Sequence, residues 1–430
     1  MVNYYFLYNK KINKRELHLR MLTKKSPLAP KSFPKLPRIK GISMFSIHGG
    51  IRKSKKEDLI MVSMEKDTTV SCTLTNSKMP SAPVIWCRKI RNKGKARALV
   101  VNSGNANAHT GVEGLKTVQN TVKTVSGVLR CKNSEVYIAS TGVIGERLSS
   151  ELITESIPKL YASKQSSWES IANAICTTDT FSKGATANCI IEGKKINIVG
   201  IAKGSGMIFP NMGTMLAFIF TDIKIPAKIL SSLLKEGVEK SFNSITVDGD
   251  TSTSDTCGLF ATGIIGLQKP ILKMKDKRVA SFAVALNDVL QNLAKQIVCD
   301  GEGAKKLITI NVEGAKTEKA ARKIGMSVAN SALVKTAVAG EDANWGRVVM
   351  AIGKAGISVF PSLLSISIGN IVVSELGSIS KKHSESKLSR YMKNREIKIN
   401  INLAQGDCSA KVWTCDLTHD YIRINADYRS

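Results

Sequence analysis

The sequence predicts a mixed α/β globule (α+β type) with two lobes, and three observations carry that prediction. The chain has 430 residues, more than one hydrophobic core usually organises, so two lobes are expected. Hydrophobic residues make up 43% and aromatics only 5%, with Gly, Ala, Val, Ile, Ser and Thr filling the apolar stretches, a composition of folded mixed domains rather than disordered chains. Short β-type runs also alternate with segments of helical periodicity.

Residues 1–20 (MVNYYFLYNKKINKRELHLR) are basic and poor in acids. They read either as a mitochondrial-type presequence without its serine enrichment, or as an unstructured start with Met21 as the functional beginning. Residues 1–25 are therefore assigned to an extension. SPLAPKSFPKLP (26–37) is an extended arm, because each proline removes a donor and pushes its predecessor out of the α region. Runs at Ile42–Ile47, Leu59–Val62 and Val70–Leu74 suggest a meandering sheet. Ala98–Val101 reads as a buried strand ending in a string of small polar residues, Asn102 to Gly111. Leu115, Val118, Val122, Val125 and Leu129 then mark one buried helical face. Val136–Ala139 is a second strand, with Ser140 to Gly145 as a tight turn. Leu230 to Phe242 and Phe282 to Ile297 are two further amphipathic helices. Leu307–Val312 and Ile397–Leu403 are strands, and Ser378–Asn394 is a polar surface insertion. Neither repeats nor low-complexity tracts interrupt this plan.

The formal net charge of +29 raises nucleic-acid binding first, since Lys and Arg gain affinity by displacing counterions from phosphates. The basic residues are instead spread along the chain without interleaved aromatics, which favours a solvated basic surface that steers small anions. No nucleic-acid partner is expected. Nine cysteines without a Cys-x-x-Cys pair suggest neither a disulfide framework nor a zinc site, and a reducing compartment fits. The five histidines lack ligand spacing, so a metal-free mechanism is the default. Apolar runs stay shorter than the ~18 residues of a membrane span, and no membrane partner is expected.

The unusual chemistry lies in VGIAKGSGMIFPNMGTMLAFIFT (199–221). A Gly/Pro/Asn-rich approach ends at Gly213-Thr214, and Met215 to Phe220 then runs on as an apolar strand. The Thr214 hydroxyl can attack the Gly213 carbonyl in an N-to-O acyl shift, and water then frees a chain that begins with Thr214. The new α-amine, of pKa about 8, can serve as general base for the hydroxyl, the arrangement of N-terminal threonine nucleophiles. By local pattern alone, Gly213-Thr214 reads first as an ordinary strand-entry turn.

The ordered segments SPLAPKSFP, VVNSGNANAHTG, IASTGVIGERL, CTTDTFSKGA, GIAKGSGMIFPNMGTMLAFIFTD, SITVDGDTSTSDT, DGEGAKKLI, VKTAVAGEDANWGRVVMAIGKAG and YIRINADYRS resemble the ornithine acetyltransferases, the bifunctional glutamate N-acetyltransferases of arginine biosynthesis. The resemblance runs from Ser26 to Ser430 and is far more specific than one short motif. It implies the two-lobed self-processing fold of the ornithine acetyltransferase and aminopeptidase type. It also implies self-cleavage between Gly213 and Thr214 into chains 1–213 and 214–430, with 26–213 as the lobe of the first chain and 214–430 as the lobe of the second. Thr214 then takes the acetyl group of N-acetylornithine and passes it to glutamate in a ping-pong cycle.

The same resemblance assigns oxyanion stabilisation to Thr141 and Gly142, and substrate contacts to Thr177, Lys203, Thr214, Glu302, Asn425 and Ser430. Lys203 would offer a cation to a substrate α-carboxylate or to the nucleophile's environment, Glu302 would pair with the ornithine amine, and Asn425 and Ser430 would bring the C-terminal end into the site. No cofactor is implied, and acetyl-CoA as a second donor stays open. The expected assembly is a heterotetramer of two of each chain, in the cytoplasm, or in the mitochondrial matrix if residues 1–20 are a presequence. Departures from the family pattern are Gly213 in place of a common alanine, His109 in place of a small residue, and Lys305 in place of a threonine. A hydrolase with the same self-cleaving chemistry, an amidase or aminopeptidase, and a charge-driven nucleic-acid binder are the competing readings.

Overall fold

The structure, a computed structural model, describes residues 24–209 and 215–426. The expected start at Met21, the extension up to residue 23, Gly213, Thr214 and Ser430 lie outside the described residues. Residues 26–37 form neither helix nor strand, as four closely spaced prolines dictate.

In chain order the first part holds β1 (Ile42–Ile47), β2 (Leu59–Met64), β3 (Thr69–Leu74), α1 (Ala82–Ile90), β4 (Ala98–Asn105), α2 (Gly111–Leu129), β5 (Val136–Val143), α3 (Ser150–Ala162) and α4 (Trp168–Ala174). The middle holds β6 (Lys183–Ile191), β7 (Lys194–Lys203), β8 (Leu216–Ile223), α5 (Ala227–Glu239), β9 (Thr256–Ile265) and α6 (Lys277–Cys299). The last part holds β10 (Leu307–Ala315), α7 (Glu318–Ala329), α8 (Ala332–Ala339), α9 (Trp345–Gly353), β11 (Ser365–Ile368), β12 (Ile371–Glu375), β13 (Ser378–Ile379), α10 (Glu385–Met392), β14 (Glu396–Asn402), β15 (Cys408–Cys415) and α11 (His419–Ala426).

The strands form three sheets, ordered β1-β2-β4-β5, β3-β9-β8-β7-β6 and β13-β12-β11-β14-β10-β15. Alternation along the strands decides how the first two stack. Ile60, Val62, Leu99, Val101 and Tyr137 of the first sheet meet Val199, Ile201, Phe218, Phe220 and Phe260 of the second in one shared core. The opposite face of the first sheet buries Leu59, Met61, Val100 and Ile138 against Val118 and Val122 of α2 and Ile153 and Ile157 of α3. The opposite face of the second sheet buries Ile198, Ala217, Ile219 and Leu259 against Leu230 and Leu233 of α5 and Phe282, Leu286 and Val289 of α6. Helix, sheet, sheet and helix therefore stack in four layers. β8 is buried along its whole length, which explains why Met215 to Phe220 is apolar without alternation: both faces are covered. Burying Phe218 or Phe220 contributes about 2–3 kcal/mol each.

The third sheet has its own core, in which Ile308, Ile310, Ile399 and Val412 pack on Ala321 and Ile324 of α7 and Val348 and Ile352 of α9. It joins the four-layer body through Ile245, which bridges to Trp413, and through the α6–β10 connection that carries Glu302.

Three expectations change. β3 leaves the meander and pairs with β9, Thr69 opposite Ala261 through Leu74 opposite Thr256. β5 runs on through Ser140, Thr141 and Gly142, paired in parallel with Asn102, Ser103 and Gly104, so those residues sit on a strand end and not in a turn. Ser378–Asn394 contains α10, whose Leu388 and Met392 are buried in the third core; two apolar residues one turn apart suffice to dock an otherwise charged helix.

β7 and β8 are antiparallel neighbours, with Lys203 opposite Leu216. The predicted cut therefore falls in the connection between two adjacent strands. The second sheet draws β6 and β7 from before the cut and β8 and β9 from after it, so severing the connection leaves the ladder between them intact.

Candidate active site

The ends of β5 and β7 and the loops after α4 and α6 converge on a cavity of about 290 Å³. Thr141, Gly142, Thr177, Lys203, Glu302 and Asn425 all line it, together with Ser252, Thr253 and Ser254. Sequence reasoning named the first six separately; the fold brings them to one wall.

Lys203 ends β7 and is 3% exposed, so it is no surface lysine. Its ammonium donates to Thr177 Oγ1 at 2.8 Å and Thr141 Oγ1 at 3.2 Å. A lysine ammonium can only donate, so both hydroxyls accept from it and keep their own hydrogens to donate elsewhere. That suits Thr141 to stabilise a developing oxyanion. Gly142 beside it has φ +136°, and a Cβ there would stand 2.2 Å from the Gly104 carbonyl carbon. Only glycine fits this close approach of two parallel strands.

Behind Lys203 lies a buried ionic network. Asp179 Oδ1 accepts from Gly204 N at 2.6 Å and Lys183 Nζ at 2.7 Å, while its Oδ2 accepts from Thr177 N at 3.0 Å and lies 3.9 Å from Lys203 Nζ. Lys183, itself fully buried, bridges to Asp300 at 2.5 Å, and Asp300 receives Thr180 N and Oγ1. Burial alone would raise the Asp179 carboxyl, yet Lys183 and Lys203 together hold it below the usual carboxylate range. Asp300, with only Lys183 as cation, is pushed up by burial. Both directions follow from two carboxylates competing for one central cation. The network fixes Thr177 through Asp179, and Glu302 through the turn that begins at Asp300.

Glu302 has its backbone N–H on Ser205 O at 2.9 Å, and its carboxylate accepts from Asn425 Nδ2 at 2.8 Å. A Cβ on Gly206 would stand 2.5 Å from that carboxylate, so the glycine lets the loop before the predicted cut lie against it. Desolvation in the cavity wall pushes the Glu302 carboxyl up, against the hydrogen bonds from Asn425 and Thr178. Lys305, the family departure near it, turns away to Asp420 on α11 at 3.1 Å. His109 takes φ +56° in the loop after β4 and is exposed. Among the described residues, no group of His, Cys, Asp and Glu is placed to hold a metal ion, and no helix is long and apolar enough to cross a membrane.

Sequence reasoning missed Asp179, Lys183 and Asp300 as site residues, although CTTDTFSKGA and DGEGAKKLI contain them. It also missed Asp248 and Asp255 in SITVDGDTSTSDT. Asp255 is buried and accepts from Met215 N at 2.9 Å; burial pushes its carboxyl well above the usual range despite that hydrogen bond. The signal available was a dense polar run, Asp248 to Thr256, inside an otherwise apolar neighbourhood.

The pattern of the ArgJ family matches residues 43–430. The arginine biosynthesis bifunctional protein ArgJ of Bradyrhizobium diazoefficiens is 50% identical over 409 residues, covering 94% of this chain and 99% of that protein. The protein of the same name from Agrobacterium fabrum is 46% identical over 408 residues, with 94% and 99% covered. Among solved structures, the arginine biosynthesis bifunctional protein argJ of Bacillus halodurans is 40% identical, covers 49% of this chain and 98% of its own, and superposes with a TM-score of 0.47. A family match running from β1 to the last residue, joined to relatives about half identical over nearly their whole length, means that this chain belongs to the ArgJ family.

Proposed function

We propose that this protein makes N-acetylglutamate for arginine biosynthesis by moving the acetyl group of N-acetylornithine to glutamate through an acetyl ester on Thr214. Self-cleavage between Gly213 and Thr214 comes first and yields an amino-terminal chain ending at Gly213 and a carboxy-terminal chain 214–430. The observation that carries the reading is the gathering of Thr141, Gly142, Thr177, Lys203, Glu302 and Asn425 around one cavity, at the end of the β7–β8 connection that holds the threonine.

In the first half-reaction the Thr214 hydroxyl adds to the acetyl carbonyl of N-acetylornithine, and the α-amine of Thr214 takes its proton. Thr141 and Gly142 stabilise the oxyanion, a contribution of about 3–4 kcal/mol for one well-placed donor. Collapse breaks the amide, the ornithine nitrogen leaves with the proton, and the acetyl group stays on Thr214. Glutamate then attacks the ester by the reverse sequence. Lys203 offers positive charge to the α-carboxylate that both amino acids share. Glu302, with Asn425 and Ser430, reads the rest of the substrate. Amide, ester and amide exchange without ATP, and in this reading no metal or bound cofactor takes part; acetyl-CoA would enter as an alternative donor.

The two chains assemble as a heterotetramer, in the cytoplasm. The test is product formation from N-acetylornithine with and without glutamate. N-acetylglutamate appearing in step with ornithine, and no acetate in its absence, is the expected result. Acetate released at the same rate without glutamate would make the protein a hydrolase.

A further inference from the structure

We propose that a second cavity, which shares Glu302 and Thr178 with the active site, binds a ligand that carries phosphate groups. Binding is read without turnover, so the inference stands or falls apart from acetyl transfer.

The second cavity measures about 700 Å³, against about 290 Å³ for the first, and falls in the size range of small-molecule sites. Five cations line it: Lys24, Lys25, Lys305, Arg395 and Arg423. They come from four separate stretches of chain, namely the proline-rich arm, the α6–β10 loop, the entry to β14, and α11. Like charges gathered around one concavity raise its potential and draw in anions.

Three carboxylates also line the cavity, Asp300, Glu302 and Asp420, and two of them are engaged elsewhere. Asp300 is held by the buried Lys183 at 2.5 Å, and Glu302 accepts from Asn425 Nδ2 at 2.8 Å. Asp420 is shared by two of the lining cations, 3.1 Å from Lys305 and 3.4 Å from Arg423. The lining therefore carries more positive than negative charge, and a multiply charged anion fits it better than a single carboxylate. A phosphate group brings about −1.5 to −2 charges and three acceptor oxygens, which a guanidinium fork and several ammonium groups can divide among them.

The backbones that present these cations are fixed. The arm is tied down at Ser26, whose N–H donates to Thr180 Oγ1 at 2.9 Å and whose hydroxyl donates to Cys299 O at 2.6 Å. Arg395 O accepts from Leu307 N at 2.8 Å, and the Arg395 guanidinium donates to Pro27 O at 3.0 Å. Lys305 N donates to Asp416 Oδ1 at 2.8 Å. Thr418, just before α11, donates its hydroxyl to Gly303 O at 2.8 Å. Gly303 itself takes φ +75°, and a Cβ there would stand 2.6 Å from Tyr421 N, so glycine lets the loop and α11 close on each other. A ligand bound here would lie against Glu302 and Thr178, which belong to the active-site wall as well.

The experiment is isothermal titration calorimetry of the full-length protein with inorganic pyrophosphate and, separately, with ADP, both without magnesium. Saturable binding at one site per chain is expected. Lys25→Gln and Arg395→Gln should each raise Kd about 10-fold, and the pair about 100-fold. Glutamine keeps a donor for Pro30 O and Pro27 O, the carbonyls these side chains hold, so the changes remove charge and leave the arm tied. If Arg395→Gln fails to fold, Lys25→Gln, on the exposed arm, carries the measurement. The paired change Lys53→Gln and Lys55→Gln, at two exposed cations between β1 and β2, should leave Kd at the wild-type value. ADP binding at least about 10-fold tighter than pyrophosphate would identify a nucleotide-borne phosphate as the ligand, and equal affinities a free phosphate anion. No saturable binding of either probe at millimolar concentration would overturn the proposal. So would a loss in the Lys53/Lys55 control as large as that at Lys25 and Arg395, which would trace binding to the overall charge of the chain.

Discussion

The Lys203 ammonium donates to the Thr141 hydroxyl across 3.2 Å, joining the end of β7 to the end of β5 inside the cavity. The bond leaves the Thr141 hydrogen pointing to whatever bears negative charge there. Replacing Thr141 by Val keeps the shape and removes that donor. In fully cut protein, kcat is expected to fall about 100- to 1000-fold with KM for N-acetylornithine little changed. Lys203→Met should raise KM for both amino acids as well, since it removes the cation proposed to face their common carboxylate. Steady-state kinetics on each half-reaction separates the two effects.

Lys183 is fully buried between Asp179 and Asp300. Removing a buried charge from between its partners leaves carboxylates uncompensated, at a cost of about 3–5 kcal/mol. Lys183→Met should therefore lower the denaturation midpoint strongly in urea titrations. The triple change Lys183→Met, Asp179→Asn and Asp300→Asn should recover most of that stability but not activity, because Thr177 and Lys203 lose their charged anchor.

Glu302 is pushed above the ordinary glutamate range by desolvation, so its protonated form persists to higher pH than that of a free glutamate. In the proposed reading the ionised form favours the ornithine ammonium, and the protonated form tolerates the side-chain carboxylate of glutamate. As pH falls through its raised pKa, KM for N-acetylornithine should rise and KM for glutamate should fall. Glu302→Gln should flatten both profiles. Parallel profiles for the two substrates, or no change in Gln, would show that Glu302 does not read the side chain.

Gly142 has no room for a Cβ against Gly104 and a φ of +136°. Gly142→Ala must separate β4 and β5 at the cavity, so kcat should fall by at least about 100-fold. The sheet beyond Ser140 should hold, so amide exchange in Val136–Ala139 should stay protected while that at Thr141 and Val143 accelerates.

Much of the architecture is legible because burial imposes a period. α2 and α6 declare one apolar face each, and β8 is an unbroken apolar run because two layers cover it. α10 was hidden, since only Leu388 and Met392 enter the core among charged neighbours. β3 could not be assigned to its sheet from local sequence: its partner β9 begins at Thr256, and local pattern says nothing about such distant pairing. Cavity residues in recurrent motifs were identified through resemblance, which tracks chemistry. The Asp179–Lys183–Asp300 network was not, because its decisive bond joins residues 117 positions apart and each member alone looks like a surface charge. Asp248 and Asp255 were missed for the same reason, as their partners are backbone groups of another loop.

The central claim is that Thr214 becomes a chain terminus and carries the acetyl group. Intact-mass analysis of the purified protein, before and after incubation with N-acetylornithine and no glutamate, tests it most directly. Two chains separated between Gly213 and Thr214, with the 214–430 chain gaining one acetyl group that glutamate then removes, is the predicted result. A single uncut chain of 46.6 kDa that still transfers acetyl groups, unchanged by Thr214→Ala, would contradict it.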